Sequence, residues 1–245
     1  MLTWATAGEG QAAYRFDPTQ AGGVEAILGL KGSEGSKSRA QSLDREGREG
    51  RDTGASESDQ AQSGIDVAEA LNPEGSTRYQ ASGGSTFCNV FAHDYAWLMG
   101  AFLPRMWWND PEKVFNDMQA GQGTEIQYGV NSHEVRANEL HTWMGGWGPR
   151  FGWASLGEPT SAVLQEAQEY ANRGSVVMVT ASTGNSSSGH IVSIISESGD
   201  QKARWEGDMF LPVQAEAGAA NNNGWTNSYM YKQLYGGGKG VWVHG

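Results

Sequence analysis

Cysteine is nearly absent: Cys88 is the single one in 245 residues. That excludes an internal disulfide framework and leaves the thiol to packing or to reactivity. Basic residues are also scarce, 17 Lys and Arg against 28 Asp and Glu, for a formal net charge of −11. The densest basic stretch, 45–51, is interleaved and flanked by Asp44, Glu46, Glu49 and Asp52. Without a basic face the chain has no means of gripping a phosphate backbone, so nucleic acid is not an expected partner. No run approaches the roughly 18 apolar residues of a membrane span, so no spanning helix is expected. The opening residues, from Met1 to Glu9, lack both a basic flank and an apolar centre, so no signal peptide is expected. There is no HExxH and no internal repeat, and with one cysteine no closed tetrahedral zinc set is expected. Neither a metal nor another cofactor is expected.

What is present divides into three stretches. Residues 1–30 mix Trp4, Tyr14 and Phe16 with a short apolar run, and read as a separate N-terminal segment. Residues 31–64 hold no aromatic residue and only Leu43 among the large aliphatics. Such a stretch buries too little to offset its ordering entropy, and reads as a disordered linker. Residues 65–245 read as the folded domain. Within it, 65–71 is expected as a short helix closed by Pro73. A polar loop follows, whose Ser85 or Thr86 is placed to cap the next helix, in which Cys88, Phe91, Tyr95, Leu98 and Met99 form one stripe. Helices are expected from Pro111 to about Ala120, over 131–144, and over 161–173, the last capped by Thr160 and ended by Gly174. The pattern then changes to strands at 175–181, 190–196, 210–216 and 240–244. Helices followed by an antiparallel meander predict an α+β fold.

Two residues carry the chemistry. Cys88 is expected at a helix start, where the peptide dipoles favour the thiolate, directly after a Gly/Ser loop whose N–H groups can hold an oxyanion. The bland alternative is a buried cysteine that only packs. His190 follows Gly189 at the mouth of a strand, and a nucleophile on a helix with a distant base on a strand is the layout of a cysteine hydrolase. The base needs a third group to fix its tautomer. Gln214 and Glu216, two residues apart and so on one strand face, can each supply it. Glu206 and Asp208 read as solvated turn residues, and His93 and Asp94 as supports of the cysteine helix. His133, Glu134, Glu139 and His141 read as a polar helix face, and His244 as a frayed end. Most of the ten tryptophans are expected in the core.

The stretch Arg78-Tyr79, then Thr86-Phe87-Cys88-Asn89-Val90-Phe91-Ala92-His93-Asp94, then Gly100 and Pro104-Arg105, resembles the nucleophile segment of NlpC/P60- and CHAP-like cell-wall hydrolases. Gly189-His190-Ile191-Val192 resembles their histidine strand, and Gln214-Ala215-Glu216-Ala217-Gly218-Ala219 the strand that supplies the third polar residue. The resemblance spans roughly residues 65–245. It implies a papain-like fold, with the nucleophile helix packed on a small antiparallel sheet, and cleavage of a peptidoglycan amide bond by Cys88, His190 and Gln214 or Glu216. Without an accompanying cell-wall-binding repeat or a signal peptide, the chain resembles an antibacterial effector. Such an effector is made in the cytoplasm, loaded on a contact-dependent machine of the type VI kind, active in the wall or periplasm of a target cell, and met there by an immunity protein. A phage-type endolysin, a transglutaminase-like acyltransferase and a papain-like binding module with an inert thiol are the alternatives.

Overall fold

The structure, a computed structural model, describes residues 3–7, 11–15, 43, 47–120, 129–185 and 188–245. In chain order the elements begin with β1 (Thr3–Ala7), β2 (Gln11–Arg15), α1 (Glu57–Leu71), α2 (Cys88–Leu98), β3 (Met106–Trp108), α3 (Pro111–Gln119) and β4 (Ser132–Glu134). They continue with α4 (Ala137–Gly146), a 3-10 turn (Gly148–Phe151), β5 (Trp153–Gly157), α5 (Ser161–Asn172), β6 (Val176–Ala181) and β7 (His190–Ile194). The last are β8 (Arg204–Glu206), β9 (Met209–Leu211), β10 (Val213–Glu216), β11 (Asn222–Thr226), α6 (Tyr229–Lys232) and β12 (Lys239–His244). The chain is a mixed α+β protein whose strands pair antiparallel.

Two compact units divide it, Met1–Ser42 with Pro104–Val135 and Leu43–Leu103 with Arg136–Gly245. In the first unit β1 pairs with β2, and β3 pairs with β4 with Trp107 opposite His133. Buried Arg105 is ion-paired with Glu134 of β4. The helix expected over 131–144 is therefore wrong in its first third, because Ser132, His133 and Glu134 are extended and laddered to β3. The helix starts only at Ala137, where the Glu139 carboxylate accepts the backbone N–H of Arg136 at 2.7 Å.

The second unit is built on a six-stranded sheet of order β11-β10-β7-β6-β12-β5. Val177, Val179, Val192, Ile194, Val241 and Val243 form a core with Leu164, Ala167 and Ala171 of α5. Helix α2 packs on β7 and α4 on β6. The last expected strand is not an appendage: β12 lies between β6 and β5, with Trp242 opposite both Met178 and Ser155. His244 is thus the end of a paired strand, its ring 5.3 Å from that of Trp153. Strand β5 falls between two expected helices, where no strand is expected. The strand expected over 210–216 is two strands, broken at Pro212, which has no N–H to give to a ladder.

The expected linker 31–64 lies outside the described residues over 31–42 and 44–46. Its C-terminal part is structured, because α1 begins at Glu57 rather than Ile65. Ser56 caps it by accepting the Asp59 N–H at 3.2 Å, and Ala61 and Gly64 are buried. Small residues hide this helix from a reading based on large aliphatics. Close approach favours them: a Cβ on Gly64 would sit 3.0 Å from the Tyr95 hydroxyl of α2, and one on Gly174, which has φ +89°, would sit 2.3 Å from Cβ of Gln60. Further upstream, Arg51 Nη1 donates to Gly174 O at 2.7 Å. Residues 1–30 are described only in β1 and β2.

Candidate active site

Cys88 is the first residue of α2 and is 4 % exposed. Every residue from Val90 to Leu98 is buried, so α2 is a central helix rather than one with a single apolar stripe. No side chain caps its start: the capping position belongs to Phe87, with φ −126° and ψ 35°, and Ser85 and Thr86 lie outside it. Ser85 is instead engaged in a two-residue hairpin with Ser82, each donating its N–H to the other's carbonyl at 3.0 Å. Gly83 at φ +58° and Gly84 at φ +76° form its tip, a conformation that demands glycine at both places.

The loop before Cys88 is pinned to the helix that the cysteine begins. Asp94 is wholly buried on α2 and accepts Arg78 Nε at 2.6 Å, Arg78 Nη2 at 3.0 Å and the Tyr79 hydroxyl at 2.8 Å. Asn221, in the turn after β10, donates to Pro73 O at 2.6 Å and Tyr79 O at 3.3 Å. His93 donates to Leu103 O at 2.5 Å. Both residues support the helix, as their place in the sequence implies.

His190 opens β7, and two glycines make room for it. A Cβ on Gly189 would stand 2.4 Å from Ala181 O and 2.3 Å from Asn138 Oδ1, so that backbone passes where no side chain fits. A Cβ on Gly218 would stand 3.3 Å from Cε1 of His190. Asn138 holds the turn ahead of β7, accepting Thr183 N–H at 2.9 Å and donating to Asn185 O at 2.8 Å. The imidazole Nε2 bonds Oε2 of Glu216, the last residue of β10, and Cys88 lies near enough to the ring to raise its pKa. With Nε2 engaged, Nδ1 is the ring nitrogen that Glu216 does not take.

Between the two residues the sequence leaves open, Glu216 meets the imidazole and Gln214 does not. Gln214 Nε2 donates to Glu216 Oε1 at 2.8 Å, and Asn227 Nδ2 donates to the same oxygen at 2.9 Å. Gln214 Oε1 in turn accepts the Tyr231 hydroxyl at 2.9 Å. Burial opposes charge on His190, but its interactions with Cys88 and Glu216 outweigh it, and its pKa is pushed up to about 10. Burial raises the Glu216 carboxyl, yet bonding to His190, Asn227 and Gln214 brings it below its usual value. The pair is held as imidazolium and carboxylate. Half-buried Tyr235 is pushed up by burial, then by Tyr229, Cys88 and Glu216.

The remaining sequence candidates lie elsewhere. Glu206 is ion-paired with Lys232, both half-exposed or nearly so. His133 Nδ1 meets Asn109 Oδ1 at 2.7 Å in the first unit, and His141 Nδ1 meets Thr180 Oγ1 at 2.9 Å in the second. Among the described residues no three His, Cys, Asp or Glu side chains converge as metal ligands, and no helix is long and apolar enough to cross a membrane. Six tryptophans (97, 107, 108, 143, 153 and 242) are buried, whereas Trp205 and Trp225 are exposed. Sequence reasoning missed Asn227, Tyr231 and Tyr235. Their one signal is that the polar, aromatic run 227–235 follows closely on the strand pair that carries Glu216.

Compared with known proteins, the chain matches no family model, no curated protein and no solved structure.

Proposed function

We propose that this chain is a cysteine hydrolase of peptidoglycan amide bonds, with a papain-like catalytic unit, Cys88 as nucleophile, His190 as acid and base, and Glu216 as the orienting group. The observation that carries the chemistry is the hydrogen bond from His190 at the mouth of β7 to the buried Glu216 carboxylate, beside the cysteine that begins α2. The peptidoglycan substrate rests on the motif resemblance around Cys88, His190 and Glu216, as does the papain-like assignment. The central helix that begins at the cysteine, packed on an antiparallel sheet that carries the histidine, supports that assignment.

In the proposed reaction the Cys88 sulfur attacks the scissile carbonyl carbon, and backbone N–H groups at the uncapped start of α2 stabilise the oxyanion. The amide C–N bond breaks as His190 passes its proton to the leaving nitrogen, leaving a thioester on Cys88. Water then attacks the thioester carbon, His190 takes its proton, and the carboxylate product departs as the thiol is restored. Delivery into a target cell as an effector, with an immunity protein as its counterpart, belongs to the same reading. It rests on the same motif resemblance.

The test is mass spectrometry of muropeptides released from sacculi. The wild type releases new amine and carboxyl ends, is stopped by iodoacetamide and is indifferent to EDTA, while a folded Cys88→Ala releases none. Comparable release by Cys88→Ala overturns the assignment. One observation favours a second reading, a papain-like binding module with an inert thiol: Cys88 is only 4 % exposed. Rapid alkylation of the native protein at neutral pH excludes that reading.

A further inference from the structure

Glu216 is tied into a buried chain of side chains whose polarity runs one way. Asn227 Oδ1 accepts the backbone N–H of Tyr229 at 2.9 Å, and a backbone N–H can only donate. That bond settles the Asn227 amide, so its nitrogen faces Glu216 Oε1 at 2.9 Å. On the other side Gln214, wholly buried, has its carbonyl oxygen taken by the Tyr231 hydroxyl at 2.9 Å, so its nitrogen also faces Oε1, at 2.8 Å. Two amide donors therefore saturate one oxygen of the carboxylate and leave the other, Oε2, to His190.

We infer that Asn227, Gln214 and Tyr231 are positioning residues of the reacting centre, which keep Glu216 ionised and hold its Oε2 against His190. The inference rests on the reading of Cys88, His190 and Glu216 as that centre. A carboxylate between strands, away from water, is stable only while donors surround it. If it took up a proton, His190 would lose both its orienting partner and the charge that keeps it an imidazolium. The titratable groups facing Glu216 are His190 of β7 and Tyr231 of α6, with Tyr235 after α6 and Cys88 of α2 acting through the same cluster. Burial pushes both tyrosines up, so both stay protonated, and the Tyr231 hydroxyl donates to Gln214 Oε1.

The test follows the Glu216 carboxyl by carbon-13 NMR and the rate of Cys88 alkylation by iodoacetamide, both against pH, in the full chain. Asn227→Leu and Gln214→Met each raise the Glu216 midpoint, and the acid limb of the alkylation profile with it, by about one pH unit per donor lost. Tyr231→Phe removes one oxygen without changing shape, frees the Gln214 amide to turn, and gives a smaller shift in the same direction. A purely structural role moves neither midpoint nor limb. If either larger variant does not fold, Tyr231→Phe alone decides. Unshifted profiles in these variants, with a changed profile in Glu216→Gln, overturn the relay and leave the catalytic reading standing. An unchanged profile in Glu216→Gln overturns the catalytic reading, and the relay falls with it.

Discussion

Arg78 and Asp94 form a bidentate pair, the carboxylate wholly buried one and a half turns along the helix that Cys88 begins, the guanidinium reaching in from the loop before it. The pair fixes the approach of the loop to the thiol, with the carboxylate shut off from water and the guanidinium 13 % exposed. Removing one partner of such a pair leaves the other desolvated, so Asp94→Ala is expected to cost about 3–5 kcal/mol. Tyr79→Phe, which loses one hydrogen bond to the same carboxylate, is expected to cost about 1–2 kcal/mol. Urea unfolding of the two variants checks the order, and equal costs would deny the central place of the ion pair.

The imidazole of His190 imposes a direction on stability against pH. Its folded pKa, near 10, lies above the ordinary value of about 6.5 for an unfolded histidine. Between those limits the folded state holds a proton that the unfolded state has released, so stability falls as pH rises. The contribution is fully present below about pH 6.5 and is lost as pH climbs through about 10. Chemical denaturation at several pH values within that window checks this. The wild type is expected to lose stability relative to His190→Gln, and a rise would reverse the assignment.

Gly189 has no room for a methyl group, since its Cβ would meet Ala181 O and Asn138 Oδ1 at 2.4 and 2.3 Å. Gly189→Ala must push the start of β7 away from β6 and carry His190 with it. A cost of about 1–3 kcal/mol is expected, as for other forced insertions into packed structure, together with loss of rapid Cys88 alkylation. Gly199→Ala, at a turn with open space around it and φ +46°, is the control for backbone strain alone. Its thiol should react as in the wild type.

The start of the second unit is tested by two caps. Ser56→Ala and Thr160→Ala are each expected to cost about 1 kcal/mol, because each side chain accepts an N–H in the first turn of its helix. If thermal unfolding shows a cost only for Thr160→Ala, α1 does not begin at Glu57.

Strands β6 and β7 were legible in the sequence because runs such as Val176-Val177-Met178-Val179 combine β-branched residues with Gly174 and Gly189 at their ends. Helix α5 was legible from the Thr160 cap and the spacing of Leu164, Ala167 and Ala171. Cys88, His190 and the polar pair on β10 were legible as residue types in order. The choice between Gln214 and Glu216 was not, because the spacing puts both on one face, and which reaches the ring depends on register. Gln214 lies opposite Ile194, one end of β7, so Glu216 comes nearer its other end, where His190 sits. Helix α1 stayed hidden behind alanine and glycine, whose value is close approach rather than apolar bulk. The extended stretch around His133 was mistaken for helix because three residues are too few to reveal a period of two.

The position of β12 makes the sheet depend on its latest strand. Among the described strands, β5 is laddered to β12 alone, since the order ends β6-β12-β5. Peeling β12 away therefore strips β5 as well and opens the edge of β6, while β6, β7, β10 and β11 keep their mutual ladders. The two strands form one cooperative opening unit, and their amides are expected to exchange with solvent deuterium together, apart from those flanking His190. Because β5 must wait for a partner some 80 residues downstream, closure of this edge is a non-local and slow event in folding. The histidine strand can reach its glutamate before the far side of the same sheet is sealed.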